Sequence, residues 1–405
     1  MHGERVVITG MGAISPFGQG VHCMLDGVRN NRCALTPLPK YCLEGLACQV
    51  AGLVPPLQQK CIPRELRRCM SPMSVFACLA AWEALEQSGL GRTPDRKMGV
   101  AAGSTLGSPA MLHNFFEVFL AERSVESIRS TVFFKIMGHT VASNIALACA
   151  CTGRTLAPAA ACASGLVAIC LGYEAIASGR EQLMLCGGAD EFHLLVATTF
   201  DRLGAASHEC VPELASRPFD TERSGVVCGE GAGILLLESL TSAQERGATI
   251  LGEVRGAAMV TSARNIANPD TAAIVDCMRT ALDDADIRPG EVAYINAHAT
   301  ATEVGDIAEG QAIATLFGAH TPVSSIKGHM GHTMAASGAL ESILCIEMLR
   351  QSVYFPTRAL HNPDTRCGGL RHLTATEHAK QGPILKNSFA LGGCNCAVLF
   401  DTYKP

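Results

Sequence analysis

Aromatic side chains are scarce in this 405-residue chain, 5% with a single tryptophan, and charged residues make up only 17%. With hydrophobic residues at 48%, so little charge excludes a disordered, solvated chain and leaves a globular protein with a large core. Few aromatics beside 40 glycines imply tight packing of small residues and many sharp turns. No sign of charge dominates, and a net charge of −5 gives no global attraction to nucleic acid or anionic lipid. Neither is expected as a partner, and an acidic partner needs a local basic patch.

No C-x-x-C occurs, and the 19 cysteines are odd in number and irregular in spacing. That argues against a disulfide framework and a zinc ribbon, and for reduced thiols in the cytoplasm. The opening "MHGERVVITGMG" puts charges where a signal peptide needs its apolar region, so secretion is not expected. One uncharged window, Thr155 to Tyr173, approaches spanning length. Pro158, Gly165, Gly172 and many alanines weaken it as a span, and a helix buried within a soluble core is expected instead.

Strand-like runs recur at Arg5 to Gly10, Met98 to Ser104, Gln182 to Glu191, Gly231 to Ser239, Val292 to His298 and Asn395 to Asp401, with helical patterns between them. The alternation predicts an α/β architecture. An internal echo adds more. "CASGLVAICLGYEAIASG" from Cys162 resembles "AASGALESILCIEMLRQS" from Ala335, and "GEGAGILLLES" from Gly229 resembles "GGCNCAVLFDT" from Gly392. Two matches in the same order predict a duplicated half, with the units spanning 1–247 and 248–405.

Cys162 lies among alanines at the start of an apolar helical pattern. A single cysteine is most often a small buried hydrophobe, but at a helix mouth the free N–H groups and the positive dipole end favour a thiolate. A nucleophile needs a base and an oxyanion site nearby. The second half offers His298, flanked by Thr300 and Thr302, and the glycine-broken "KGHMGHTMAASG" with Lys327, His329 and His332. His329 and His332 form an H-x-x-H, but no carboxylate or cysteine lies at ligand spacing, and no metal is expected. "TGMGAIS" has Gly10 and Gly12 after a strand, yet Ser15 stands where a dinucleotide fingerprint has its third glycine.

Together, "AACASG", "RPFDTERSG…GEGAG", "HATATEVGD", "KGHMGHTMAASG" and "NSFALGGCNCAV" resemble, in order and setting, the β-ketoacyl-acyl carrier protein synthases. The resemblance runs from "VVITGMGAISPFG" to the last strand. It implies the α/β thiolase-like fold, two duplicated halves whose mixed sheets sandwich buried helices. It implies decarboxylative condensation of malonyl-acyl carrier protein with a cysteine-bound acyl chain, in fatty-acid or type II polyketide elongation. By resemblance Cys162 is the nucleophile, and His298 and His332 are the two catalytic histidines. Lys327 supports them electrostatically, with Asp306 and Glu309 as its anionic neighbours. Thr300 and Thr302 hold the pantetheine amides, and the backbone N–H groups of Cys162 and Leu391 form the oxyanion hole. No cofactor is implied, since substrates arrive on the phosphopantetheine of acyl carrier protein. The implied partners are that carrier protein and a second subunit, either identical or a chain-length factor. Arg64, Arg67 and Arg68 are the candidate carrier-protein patch.

The pattern departs from the family at several positions. Its usual glycines are Ala299 and Ala301 here, its glycine-phenylalanine gate is Ala390-Leu391 ahead of which Phe389 remains, and a usual phenylalanine is Val226. Smaller aliphatic groups at the acyl pocket predict acceptance of a bulkier or stiffer chain, such as a polyene. Two other readings fit parts of the pattern. A coenzyme A thiolase would use a second cysteine, for which Cys394 and Cys396 are candidates, whereas paired histidines with Lys327 suit the decarboxylating branch. A non-catalytic chain-length factor would lack the nucleophile.

Overall fold

The computed structural model of the protein describes residues 3–38 and 45–405. Its central strands are β1 (Val6–Ser15), β2 (Gly99–Gly103), β3 (Thr155–Leu156), β4 (Leu183–Asp190), β5 (Gly231–Ser239), β6 (Gly252–Thr261), β7 (Tyr294–Asn296), β8 (Pro322–Ser324), β9 (Arg371–His372), β10 (Ile384–Phe389) and β11 (Cys394–Asp401). They lie in a twelve-stranded sheet in the order β9-β8-β7-β10-β11-β6-β1-β5-β4-β2-β3, with the short Gly18–Gln19 strand paired to β1. All ten residues of β1 and all nine of β5 are buried, which is why these strands read as continuous apolar runs rather than alternating ones.

Outward from the centre both wings repeat one pattern. Along β1, β5, β4, β2 and β3 the pairings run antiparallel, antiparallel, parallel, parallel. Along β6, β11, β10, β7 and β8 they run the same way. Within the sheet the wings pair where Val6, Val7 and Ile8 face Val254, Glu253 and Gly252. The echoed sequences occupy equivalent places, since β5 and β11 are each the second strand of a wing.

The helices that matter are α1 (Pro72–Gln87), α2 (Ser164–Ala177), α3 (Thr271–Ala285), α4 (Glu303–Phe317) and α5 (Ser337–Gln351). α1 packs on β1 and β5 and α3 on β6 and β11, whereas α2 and α5 touch strands of both wings and each other. The order is therefore helix, sheet wing, helix pair, sheet wing, helix, in line with the duplicated α/β expectation. Every residue of α5 from Ser337 to Leu349 is buried, so it has no polar face to show in its sequence. The uncharged window from Thr155 divides into β3, a 3-10 turn at Ala161–Ala163 and the buried start of α2. Among the described residues no helix is long and apolar enough to cross a membrane.

The Ala-Ser-Gly echo has a steric cause. A Cβ on Gly165 would lie 2.2 Å from the carbonyl oxygen of Ala335, and one on Gly338 would lie 2.8 Å from the Cβ and amide of Leu166. The entrances of α2 and α5 thus cross backbone to backbone, which only glycine permits. Gly10 and Gly12 answer the dinucleotide reading in the same way, because a Cβ on either would meet a carbonyl of α1 at about 2 Å.

Candidate active site

Cys162 occupies the middle of the 3-10 turn that leads into α2, and the residue before it, Ala161, has φ of 45°. A left-handed alanine is strained, and the turn is fixed by Ser164, whose Oγ accepts from Ala160 N at 2.9 Å and donates to Ala161 O at 2.7 Å. The thiol is buried, and burial, with a smaller push from Asp190, raises its pKa to about 12 despite Lys327 pulling it down. The buried group is held as a thiol, so the thiolate expected at the helix mouth is overridden by desolvation.

His298 lies just beyond the end of β7 and His332 just beyond the short helix Lys327–Met330. Their rings meet edge to face, with centroids 5.3 Å apart, and Phe389 at the end of β10 stands 6.2 Å from His298. His332 Nδ1 and Nε2 and His298 Nδ1 have no hydrogen-bond partner among the described residues. Burial, then the charge of Lys327, lowers both, His332 to about 3 and His298 well below the usual range. Both imidazoles are neutral at physiological pH, with nitrogens free to bond a ligand.

The ion pair behind them differs from the expected one. Lys327 Nζ donates to Glu341 Oε1 at 2.7 Å, and Lys386 Nζ stands 2.7 Å from Glu341 Oε2. These three are fully buried, and the two ammonium groups hold the Glu341 carboxyl at about 2. Asp306 and Glu309 are not hydrogen-bonded to Lys327. Glu309 accepts from the backbone of His298 at 2.8 Å and of Ala299 at 2.7 Å, and Asp306 from Phe219 N at 2.8 Å and Ala301 N at 3.2 Å. Both carboxylates sit on α4, within reach of the loop amides after β7, so they shape the histidine loop. Asp306 also lies 3.6 Å from Arg223, and burial raises it to about 7.

Glu341 and Lys386 escaped sequence reading, although each left a signal. Glu341 is a carboxylate on a helix with no exposed face, and Lys386 is a lysine inside the buried strand β10.

A cavity of about 420 Å³ joins the candidates, lined by Cys162, His298, His332, Thr300, Thr302, Val226, Phe389 and Leu391. Thr300 and Thr302 hydroxyls are 3.0 Å apart, and Thr302 precedes α4. Neither the Cys162 nor the Leu391 amide is among the loop and turn amides that donate to a backbone carbonyl within the described residues. Ala301, where the family glycine was noted, has φ of 68°, so its methyl adds local strain. Arg64, Arg67 and Arg68 do not line the cavity; they belong to or follow the short helix Arg64–Arg67, which packs on the helix Thr140–Ala148. His329 is buried with Nδ1 3.3 Å from Ile326 O, away from the cavity lining. Cys394 and Cys396 also lie outside it, and Cys396 Sγ is 3.5 Å from Cys170 Sγ.

The sequence matches the family description "Beta-ketoacyl synthase, N-terminal domain" over residues 3–243 and "Beta-ketoacyl synthase, C-terminal domain" over 251–361. The chain belongs to the β-ketoacyl synthase family. It is 30% identical to 3-oxoacyl-[acyl-carrier-protein] synthase 1 of Escherichia coli (strain K12), covering 99% of this chain and 100% of that protein. A β-ketoacyl synthase crystal structure from Burkholderia phymatum STM815 superposes with a TM-score of 0.95 at 36% identity, covering 99% of this chain and 100% of that one. The ishigamide ketosynthase/chain length factor superposes with a TM-score of 0.93 at 31% identity, with the same coverage. The family's chemistry is condensation in fatty-acid or polyketide elongation.

Proposed function

We propose that this β-ketoacyl synthase is catalytically competent and that Cys162 carries the growing acyl chain. The observation that carries the reading is the convergence of one buried thiol and two neutral imidazoles with unpartnered nitrogens on a single cavity. In the first half-reaction the Cys162 sulfur attacks an acyl thioester, its proton passes to the departing phosphopantetheine sulfur, and the oxyanion is received by the amides of Cys162 and Leu391. In the second, a malonyl thioester loses CO2. The electron pair left on carbon becomes an enolate to which His298 and His332 donate hydrogen bonds, and it attacks the acyl carbonyl as the C–S bond to Cys162 breaks; the released thiolate takes up a proton from water to restore the thiol. Neutral imidazoles suit this role because each can donate without giving up a full proton.

Thr300 and Thr302 on the cavity wall suit pantetheine amides. Acyl carrier protein is the proposed donor, docking with Arg64, Arg67 and Arg68, and the proposed assembly is a dimer with an identical chain or a chain-length factor. The matched ketosynthase/chain length factor structure supports the second arrangement. Val226 and Leu391 in place of aromatic groups support acceptance of stiff or bulky acyl chains. Competition between saturated and polyene thioesters for Val226→Phe and Leu391→Phe checks this, with both variants expected to shift toward saturated chains. Unchanged preference in both would remove the idea.

The deciding experiment is intact-protein mass spectrometry after incubation with a panel of acyl-carrier-protein thioesters. A mass gain equal to the acyl group in the wild type, absent in Cys162→Ala, is expected. No gain with any donor, alone or with a chain-length factor added, would overturn catalytic competence.

A further inference from the structure

Lys386 has no place in the chemistry above, yet a lysine at 0% exposure in the middle of a strand is costly unless its charge is used or matched. It is matched on one side by Glu341, which also holds Lys327, and its ammonium further donates to the carbonyl of Asn387. The next residue ties the strand to the histidine loop, since Asn387 Nδ2 donates to Glu309 Oε1 at 3.2 Å and Glu309 accepts from the His298 and Ala299 amides.

Counting charges shows what the second lysine does. Behind the imidazoles lie two buried ammonium groups, Lys327 and Lys386, and two buried carboxylates, Glu341 and Glu309. Cys345 on α5 and Cys396 on β11 are the other titratable groups that feel Lys386, and both are buried thiols with pKa raised by burial, hence neutral. Asp306, next along α4, is offset by Arg223 at 3.6 Å, and Asp190 accepts from Ser104, Thr105 and the Ala335 amide, so the four charges of Lys327, Lys386, Glu341 and Glu309 balance only while Lys386 is present. With Lys327 alone the set carries one excess negative charge next to His298 and His332, which raises the proton affinity of both imidazoles and of Glu309.

We infer that Lys386 is a positioning residue for the condensation step: by pairing the second oxygen of Glu341 it balances the buried carboxylates behind the imidazoles and keeps the enolate's surroundings from becoming net negative. This deepens the proposed function and rests on it for the kinetic part, whereas the electrostatic part can be read without turnover. The charge of Lys386 also enters the lowering of both histidines, behind burial and Lys327.

The test compares Lys386→Met and Lys386→Arg with the wild type in 13C-histidine NMR titrations, the resonances of His298 and His332 being assigned with single His→Asn variants. In Lys386→Met at least one of the two is expected to titrate about two pH units higher than in the wild type, while Lys386→Arg retains the wild-type behaviour. Malonyl decarboxylation should fall about tenfold in kcat for Lys386→Met with KM unchanged, and acylation of Cys162 should persist. If Lys386→Met does not fold, Lys386→Gln carries the same comparison with a polar stem. Histidine titrations identical in the neutral variant and the wild type overturn the inference, as does an equal shift in Lys386→Arg, which would assign the effect to packing. An upward shift in Lys386→Met, in a protein whose wild type neither acylates nor decarboxylates, would leave the charge balance standing and sink the proposed function instead.

Discussion

The turns that open α2 and α5 are copies of one device put to different uses. Each is a 3-10 turn whose first residue is left-handed, Ala161 at φ 45° and Met334 at φ 50°, and each is followed by a serine that begins the helix. In the first turn the serine hydroxyl folds back on Ala160 and Ala161 and locks the loop that presents a thiol. In the second, Ser337 Oγ turns forward and donates to Glu341 Oε1 at 2.6 Å, and alanine fills the thiol's position. Duplication supplied the same scaffold twice. In the proposed mechanism the labour is divided, with the nucleophile on one copy and the electrostatic support on the other.

The comparison is broken most severely at the thiol. Cys162→Ala should lower condensation by about a thousandfold or more, and adding Ala335→Cys should restore nothing, because the imidazoles and the cavity face only the first turn. Recovery of acyl uptake at position 335, read by peptide mass spectrometry, would mean the two turns are still interchangeable.

Glu341 is next. Glu341→Gln strips two buried lysines of their shared carboxylate and should cost about 3–5 kcal/mol in chemical denaturation. The wild type offers the same test through pH. Glu341 is held near 2 in the folded chain against an ordinary 4.5, so its contribution is complete above about 4.5 and is lost as pH falls from there toward 2. Glu341→Gln should be less stable at pH 7 and should lose less than the wild type on acidification across that window.

The helix crossing ranks third. Gly165→Ala sets a methyl against the carbonyl of Ala335 and should destabilise by about 1–3 kcal/mol. Gly338→Ala, whose nearest contacts are longer, should cost less. Equal, negligible costs would show that the crossing is looser than the backbone contacts imply.

How much of this was legible in the sequence depends on whether a residue signals alone or through a partner. The alternation of strands and helices and the Ala-Ser-Gly echo gave the duplicated α/β plan, because burial on both faces and a glycine crossing leave marks in a single segment. Cys162, His298, His332 and Thr300 stood out by motif, and they do share one cavity. The partner of Lys327 did not, because it comes from α5, where Glu341 sits in a helix whose uniform burial erases any periodic face. The resemblance named Asp306 and Glu309 instead; Glu309 does act on Lys327 through its charge, but the hydrogen bonds of both carboxylates go chiefly to backbone amides. Lys386 leaves only the mark of a lysine inside an apolar strand, and its partner Glu341 lies on another element, so the pairing does not show along the chain.

The smallest expected effect concerns the strain that the two turns share. Ala161 is left-handed and only partly buried, so Ala161→Gly removes a steric penalty of about 1 kcal/mol at little loss of packing. Part of that gain is offset by the greater freedom of glycine in the unfolded chain, leaving a net rise in stability of a few tenths of a kcal/mol. Met334 offers no such gain, since its side chain is buried against Cys162 and Cys228 and truncation there opens a cavity. Function should move the other way. A glycine before Cys162 lets the turn sample conformations in which the sulfur and its amide no longer point into the cavity together, and acylation should slow by a few-fold, read by the rate of acyl mass gain. A variant that is both more stable and equally fast would show that the strain at Ala161 is an accident of the duplicated turn; a slower one would tie it to holding the thiol.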